Sequence, residues 1–296
     1  MSDKIELLPI SILEQHREMA TNLKRLNFNL AIASGWHYLL DWIWIIEQLG
    51  DVSQATILDA GAGIGLLQWY LAIEGARVIS VDRSDRSILP TPLIKRFNVT
   101  GFRVEDTPRG CLESIHSRPD FSNSVKAAGR GLLMKLRSGL QDGGRASGSV
   151  AMYRGDLINL PQISNDSVDA VISISAIEHN SYKDDIRRIR IELERVLKPG
   201  GMMLITLPAA RDEDWFMEAA NAWCLTDRTI RWVFDLEDRV PSNFSAYDEI
   251  YRGIVNSLEL SRSVSWRYRC RSNSGLPRAK WPPKYVPVAI LKTKQA

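Results

Sequence analysis

Cysteine is scarce in this chain. Among 296 residues there are three, Cys111, Cys224 and Cys270, far apart and without a C-x-x-C pair. A disulfide framework or a cysteine zinc site is therefore not expected, and an odd, scattered set suits a reduced, cytoplasmic protein. Long hydrophobic runs are missing too. The most apolar stretch, Trp36 to Leu49, is interrupted by Asp41 and Glu47 and is too short to span a bilayer. The opening, MSDKIELLPISILEQ, lacks the basic start and apolar run of a signal peptide. Histidine is limited to His16, His37, His116 and His179, which leaves few side chains that titrate near neutrality. No internal repeat is visible. Acidic residues stop at Glu259, after which nine basic ones run from Arg262 to Lys294. The residues before carry 29 basic against 35 acidic groups. A basic end on an acidic body suits an anionic partner, or equally a strand pair with solvated arginines.

What is present centres on Ala55 to Leu71, ATILDAGAGIGLLQWYL. Ile57 and Leu58 read as a buried strand ending at Asp59. Gly61, Gly63 and Gly65 follow, with Ala62 between them, and helical spacing resumes at Leu66, Leu67, Tyr70 and Leu71. Strand, glycine turn and helix open a Rossmann-type unit, whose ligand lies across the carboxyl end of the strand. The spacing here is G-x-G-x-G, and Leu66 stands where a dinucleotide fingerprint would have its third glycine. A second strand, Ala76 to Asp82, ends in an acid 21 positions after Gly61. A carboxylate there can accept hydrogen bonds from a vicinal diol and would repel a 2′-phosphate, which outweighs the neighbouring Arg83 as a sign of NADP. Further strands are expected at Val150–Asp156, Ser167–Ser175 and Lys198–Pro208, with a charged amphipathic helix running to Leu197. Strands alternating with helices give a doubly wound, mostly parallel α/β sheet.

Before the glycine turn, Ile10 to Leu26 reads as an amphipathic helix and Gly35 to Leu49 as a covered one. Trp36, Tyr38, Trp42 and Trp44 would roof a substrate pocket or cap the sheet edge. His37, set among them, reads first as a packing residue. Between Asp82 and Asp156 lie far more residues than a βαβ crossover needs. The excess contains a possible helix, Ser124 to Leu136, and a glycine-rich tract, Gly139 to Gly148.

In this order the motifs resemble the class I S-adenosylmethionine (SAM) methyltransferases, in particular the small-molecule group often labelled type 11. The likeness covers about 55–83 and 150–208, including the D-x-V opening of strand four and Leu197-Lys-Pro-Gly-Gly201 before strand five. It implies a Rossmann-like sheet with an antiparallel final strand, the last pair falling near Ser263–Arg271 and Tyr285–Lys292. It implies SAM as cofactor, held by Asp59, Gly61, Ala62, Gly63 and Gly65, by Asp82 and Arg83, by Asp156 and Leu157 at the adenine, and by Ser175. Residues 1–50 would form an N-terminal helical cap on a SAM-binding domain, 51–296. Two insertions lie outside the likeness: about 100–149, whose glycine-rich flanks suit a mobile flap or equally a disordered insertion, and 209–262, an acceptor pocket rich in aromatics (Trp215, Phe216, Trp223, Trp232, Phe234).

Catalysis of methyl transfer is largely positioning, with a proton to remove from an oxygen acceptor. His179, just past strand four, is the candidate base, and Glu178 beside it would orient the ring or hold the methionine amino group. A metal-binding E-x-x-E-H pattern is incomplete because Ser175 stands where its first acid belongs, so no metal is expected. Neither N-P-P-Y nor D-P-P-Y nor a cysteine follows strand four, and the lysine-aspartate-lysine-glutamate tetrad of ribose methyltransferases is absent. The expected reaction is methyl transfer to an oxygen, nitrogen or carbon of a small molecule, such as a sugar or a phosphorylated intermediate. Nucleic acid is not the expected partner, and no oligomeric state follows. The alternatives are an RNA methyltransferase whose basic end tracks phosphates, an NAD(P)-binding oxidoreductase, and a non-catalytic SAM-binding protein.

Overall fold

The computed structural model describes residues 2–32, 34–109, 146–218, 220–262 and 281–295. In chain order the elements are β1 (Lys4–Leu7), α1 (Ser11–Gln15), α2 (Arg17–Asn29), α3 (Tyr38–Leu49), β2 (Thr56–Ala60), α4 (Leu66–Ile73), β3 (Arg77–Asp82), α5 (Thr91–Arg96), β4 (Asn98–Gly101) and β5 (Ser149–Arg154). They continue with β6 (Val168–Ile174), α6 (Lys183–Val196), β7 (Leu197–Ala209), β8 (Trp215–Met217), β9 (Ala222–Cys224), α7 (Asp227–Phe234), α8 (Tyr247–Val255) and β10 (Val286–Thr293). Each strand expected from apolar runs is found within a residue or two of its place.

Eight strands form one sheet in the order β1-β10-β7-β6-β2-β3-β5-β4. β10 runs antiparallel to both neighbours, and the other adjacent pairs are parallel. From β2 the chain proceeds first to β3 on one side and later to β6 on the other. The glycine turn after β2 therefore sits at the point where strand order reverses, the usual ligand crevice of an open α/β sheet. β2 is buried along nearly its whole length, and Ile57, Leu58 and Ala60 are inaccessible, because helices cover both faces.

The last strand pair differs from expectation. The neighbour of β10 at this edge is β1 from the start of the chain, with Lys4 opposite Leu291 and Leu7 opposite Val288. Residues 263–280, where the partner strand was expected, lie outside the described residues. β1 pairs because Ile5 and Leu7 face the core while Lys4 and Glu6 turn outward, and Glu6 accepts a hydrogen bond from the Trp44 indole at 2.8 Å. The first 50 residues thus supply a sheet strand as well as helices. Trp44 fastens α3 to that strand and so is no roof over a pocket.

The single helix expected over Ile10–Leu26 is divided at His16 (φ −116°, ψ 38°), where the chain turns from α1 to α2. The His16 ring lies 3.1 Å from Glu47 of α3, a tertiary contact that local periodicity does not register. α3 is buried on almost every side from Leu39 to Ile46, as its apolar sequence requires. α6 keeps the ordinary pattern, with Ile186, Ile189, Leu193 and Val196 inward, acids in its first turn and Arg195 in its last. Among the described residues no helix is long and apolar enough to cross a membrane. Most of the expected flap, 110–145, lies outside the described residues, and its start supplies the short edge strand β4.

Candidate active site at the strand ends

Asp59, at the carboxyl end of β2, is 5 % exposed. Behind it the chain turns through Gly61 (φ 74°) and Gly63 (φ 49°), a backbone region that disfavours any side chain. Crowding adds to this at Gly61, where a Cβ would fall 2.3 Å from the Cβ of Ala176. The bare backbone lets the segment after β6 close over the turn, and Leu157 approaches the same spot from the β5 side. Gly61 and Ala62 both donate to the carbonyl of Val81, at 2.9 and 3.0 Å, which ties the turn to β3. Gly65 is the extended residue that caps α4.

Asp82 does more than was expected of it. One carboxylate oxygen accepts from the Gly63 amide at 2.7 Å, and the other from the Ser84 amide at 2.7 Å and its hydroxyl at 2.6 Å. It anchors the glycine turn before any ligand arrives. Arg83 reaches across to the Asn180 side-chain oxygen at 3.0 Å, joining the ends of β3 and β6. Asp156 is exposed, accepts from the Ile158 amide at 3.1 Å and stands beside buried Leu157.

A buried polar network beneath the turn was not foreseen. The Arg86 guanidinium donates to the Gly63 carbonyl (3.0 Å), the Ser80 hydroxyl (2.5 Å), the Ser80 carbonyl (2.8 Å) and the Tyr153 carbonyl (2.9 Å). The Ser80 hydroxyl donates to the Gln68 side-chain oxygen at 2.7 Å, and the Gln68 amide donates back to the turn carbonyls of Gly63 and Gly65. A fully inaccessible glutamine on apolar α4 is the one local sign of this in the sequence.

Burial pushes the Asp59 carboxyl up to about 7, with Asp82 adding to the rise and Arg86 opposing it. The unfolded chain would release that proton near its ordinary value of 3.8. Between those values the native state holds more protons than the unfolded one, so stability falls as pH rises through the window and levels off above it. The span corresponds to something on the order of 4 kcal/mol at most. Asp59→Asn should therefore flatten the profile: urea midpoints at pH 5 and pH 8 should differ less in the variant than in the wild type. Equal differences in the two proteins would place Asp59 ionised in the free native state.

Past β6, Ser175 adopts φ 44°, a strained value for a side-chain residue, and its amide donates to the Thr206 carbonyl at 2.9 Å. Glu178 is 1 % exposed, and burial raises its carboxyl above the usual range, partly opposed by His179 and His37. His179 is exposed. Its Nδ1 lies 3.0 Å from the Asn221 carbonyl and donates to it, which in the neutral ring leaves the lone pair on Nε2, 4.0 Å from Glu178. Glu178 is also fixed through its carbonyl, which accepts from the Trp223 amide at 3.1 Å.

The structure thus joins Asp59, Gly61, Ala62, Gly63, Gly65, Asp82, Leu157 and the Ser175–His179 segment around one crevice, with Arg83 and Asp156 at its margin. Of the aromatics expected at an acceptor pocket, Trp223 meets this segment. Phe234 is core and Trp232 is 43 % exposed on α7 under Arg187, so neither belongs there. Of the basic end, Lys292 and Lys294 are engaged internally, Lys292 with the Asp235 carbonyl at 3.2 Å and Lys294 with Asp166 at 2.6 Å and the Glu194 and Leu197 carbonyls, while Arg262 and Lys284 are exposed.

Residues 133–205 match the methyltransferase domain family. A protein of Encephalitozoon cuniculi named as a methyltransferase is 37 % identical over 85 residues, 28 % of this chain and 40 % of that protein. The tRNA (carboxymethyluridine(34)-5-O)-methyltransferase of Arabidopsis thaliana is 44 % identical over 59 residues, 20 % of this chain and 14 % of that enzyme. The ubiquinone biosynthesis O-methyltransferase of Nitrosomonas europaea is 27 % identical over 101 residues, 29 % and 43 % of the two chains. The chain therefore spans less than half the length of each of these relatives. Among solved structures, a Haemonchus contortus N-methyltransferase bound to phosphomonomethylethanolamine and S-adenosylhomocysteine aligns over 97 % of this chain and 60 % of its own, at 14 % identity and a TM-score of 0.53. The cyclase SpnF aligns over 99 % of both chains at 15 % identity and a TM-score of 0.50. The matched segment and the sheet order make this chain similar to the class I SAM-dependent methyltransferases.

Proposed function

We propose that this protein binds SAM across the ends of β2, β3, β5 and β6 and transfers its methyl group to an oxygen, nitrogen or carbon atom of a small molecule in the cytoplasm. The observation that carries the reading is the closed turn at the strand-order reversal, where the Asp82 carboxylate holds the Gly63 amide 2.7 Å away. The fit is supported by two positive-φ glycines that keep the turn bare and by an acid at its edge. A fold shared with a cyclase does not by itself make a methyltransferase, so the argument has to rest on the site.

When bound, SAM supplies an electrophilic methyl group on a sulfonium; the protein's residues position what reacts with it. Asp82 has used three of about four lone-pair positions. It can accept one hydroxyl directly, and a second if the Ser84 hydroxyl turns away. Arg83, Asp156, Leu157 and Ser175 line the rest of the cofactor crevice, and residues 1–50 and 209–262 cover the acceptor side. His179 Nε2 takes the acceptor's proton, and Glu178, 4.0 Å off, stabilises the imidazolium that forms.

Asp82→Ala tests the cofactor site. It should weaken binding of SAM and of S-adenosylhomocysteine by about 1.5–3 kcal/mol, roughly 10–100-fold, because a charged hydrogen-bond acceptor is lost. Calorimetric affinities equal to the wild type would refute the placement of the ribose. An RNA acceptor is the second reading, favoured by the short stretch shared with the Arabidopsis tRNA enzyme. The internal engagement of Lys292 and Lys294 weighs against it. A bulk-RNA methylation assay with radiolabelled SAM separates the two.

A further inference from the structure

A second set of buried polar groups lies at the start of α3 and just past β6, the strand against which α3 packs. Asp41 and Glu178 are 0 % and 1 % exposed, and His37 is 4 % exposed. The His37 Nδ1 sits 2.7 Å from one Asp41 oxygen, and the other Asp41 oxygen has no partner among the described residues. Oε2 of Glu178 is likewise without a partner, as are the neighbouring hydroxyls of Ser175 and Thr206. His179 and His37 act on Glu178 as positive charges that oppose the rise burial imposes, and Asp41 adds to that rise.

Around His37 stand Trp36 at 5.1 Å, Tyr38 at 5.0 Å and Tyr285 at 5.7 Å between ring centroids, in edge-to-face arrangements. Orphaned buried carboxylate oxygens are costly and ask for hydrogen-bond donors. Two buried acids, each with an unpartnered oxygen and neither paired with a lysine or arginine among the described residues, favour a cationic donor over an anion or a bare hydroxyl.

We propose that Asp41 and Glu178 bind the methyl acceptor, and that this acceptor is a primary or secondary amine entering as its ammonium ion. The proposal rests on the methyltransferase reading above and narrows its oxygen, nitrogen or carbon acceptor to nitrogen. The ammonium held by Glu178 lies beside His179, whose Nε2 removes one N–H proton and leaves the nitrogen lone pair free to take the methyl group. Asp41, fixed by His37, supplies the second acceptor and sets the direction of approach.

The test uses three probes with one aromatic tail: phenethylamine, 2-phenylethanol and 3-phenylpropanoate. Each is titrated into the full chain with and without saturating S-adenosylhomocysteine, reading tryptophan fluorescence and heat. The amine should bind about tenfold or more tightly than the alcohol or the carboxylate. Glu178→Gln should remove that preference, and Asp41→Asn, which keeps the hydrogen bond to His37, should do the same while leaving S-adenosylhomocysteine affinity unchanged. Should Asp41→Asn fail to fold, Glu178→Gln decides alone. Equal binding of the three probes, a carboxylate preference, no binding of any, or an amine preference that survives Glu178→Gln would overturn the proposal. Absence of S-adenosylhomocysteine binding would sink the cofactor reading instead, and the titrations without it would still decide the amine site.

Discussion

His179→Ala is expected to slow single-turnover methyl transfer by about 10²–10⁴-fold, the usual contribution of a positioned general base. The expectation rests on the tautomer. With Nδ1–H committed to the Asn221 carbonyl at 3.0 Å, Nε2 is free to accept a proton at the exposed mouth of the crevice. His179→Gln, which can hydrogen-bond but not act as a base near neutral pH, should be nearly as slow. SAM affinity should change little in both, because neither substitution touches the glycine turn. An unchanged rate and pH profile in His179→Ala would leave the residue a role in holding the β9 segment only.

The second large effect is on stability. Arg86→Ala should destabilise the protein by about 3–5 kcal/mol, the range seen when one member of a buried charged network is removed. Four acceptors lose a donor at once, the Ser80 and Tyr153 carbonyls included, and the Gly63 carbonyl keeps only the Gln68 amide. Asp59 also loses the positive charge that opposes its rise, so the free variant should hold the Asp59 proton to higher pH. Arg86→Lys should recover little, because a lysine ammonium cannot span acceptors arranged for a planar fork. Urea unfolding followed by fluorescence measures the loss. A change below about 1 kcal/mol would mean that water replaces the guanidinium at little cost.

How these residues were or were not legible follows from locality. The parallel strands are continuous apolar runs closed by acids or glycines, so Asp59, Asp82 and the turn between them could be read directly. The run Asp82-Arg-Ser-Asp-Arg-Ser87 offers two arginines with the same neighbours, and Arg83 was the natural choice beside the acid. In the fold Arg83 faces Asn180 across the crevice while Arg86 turns under it to reach Tyr153 of β5. Nothing local separates the two. β1 is four residues whose alternation is real but short, and its partner lies at the other end of the chain. His37 and Asp41 follow the same logic. Four residues apart on α3 they form a pair, but their significance comes from Glu178, brought over them by β6.

Isothermal titration of the full chain with SAM, S-adenosylhomocysteine, NAD and NADP tests the central claim most directly. SAM and S-adenosylhomocysteine should bind, each with one site per chain, and neither NAD nor NADP should compete with them. Preferential binding of NAD or NADP, or no binding of SAM, would contradict the assignment of the β2–β3 crevice and the methyl-transfer chemistry built on it.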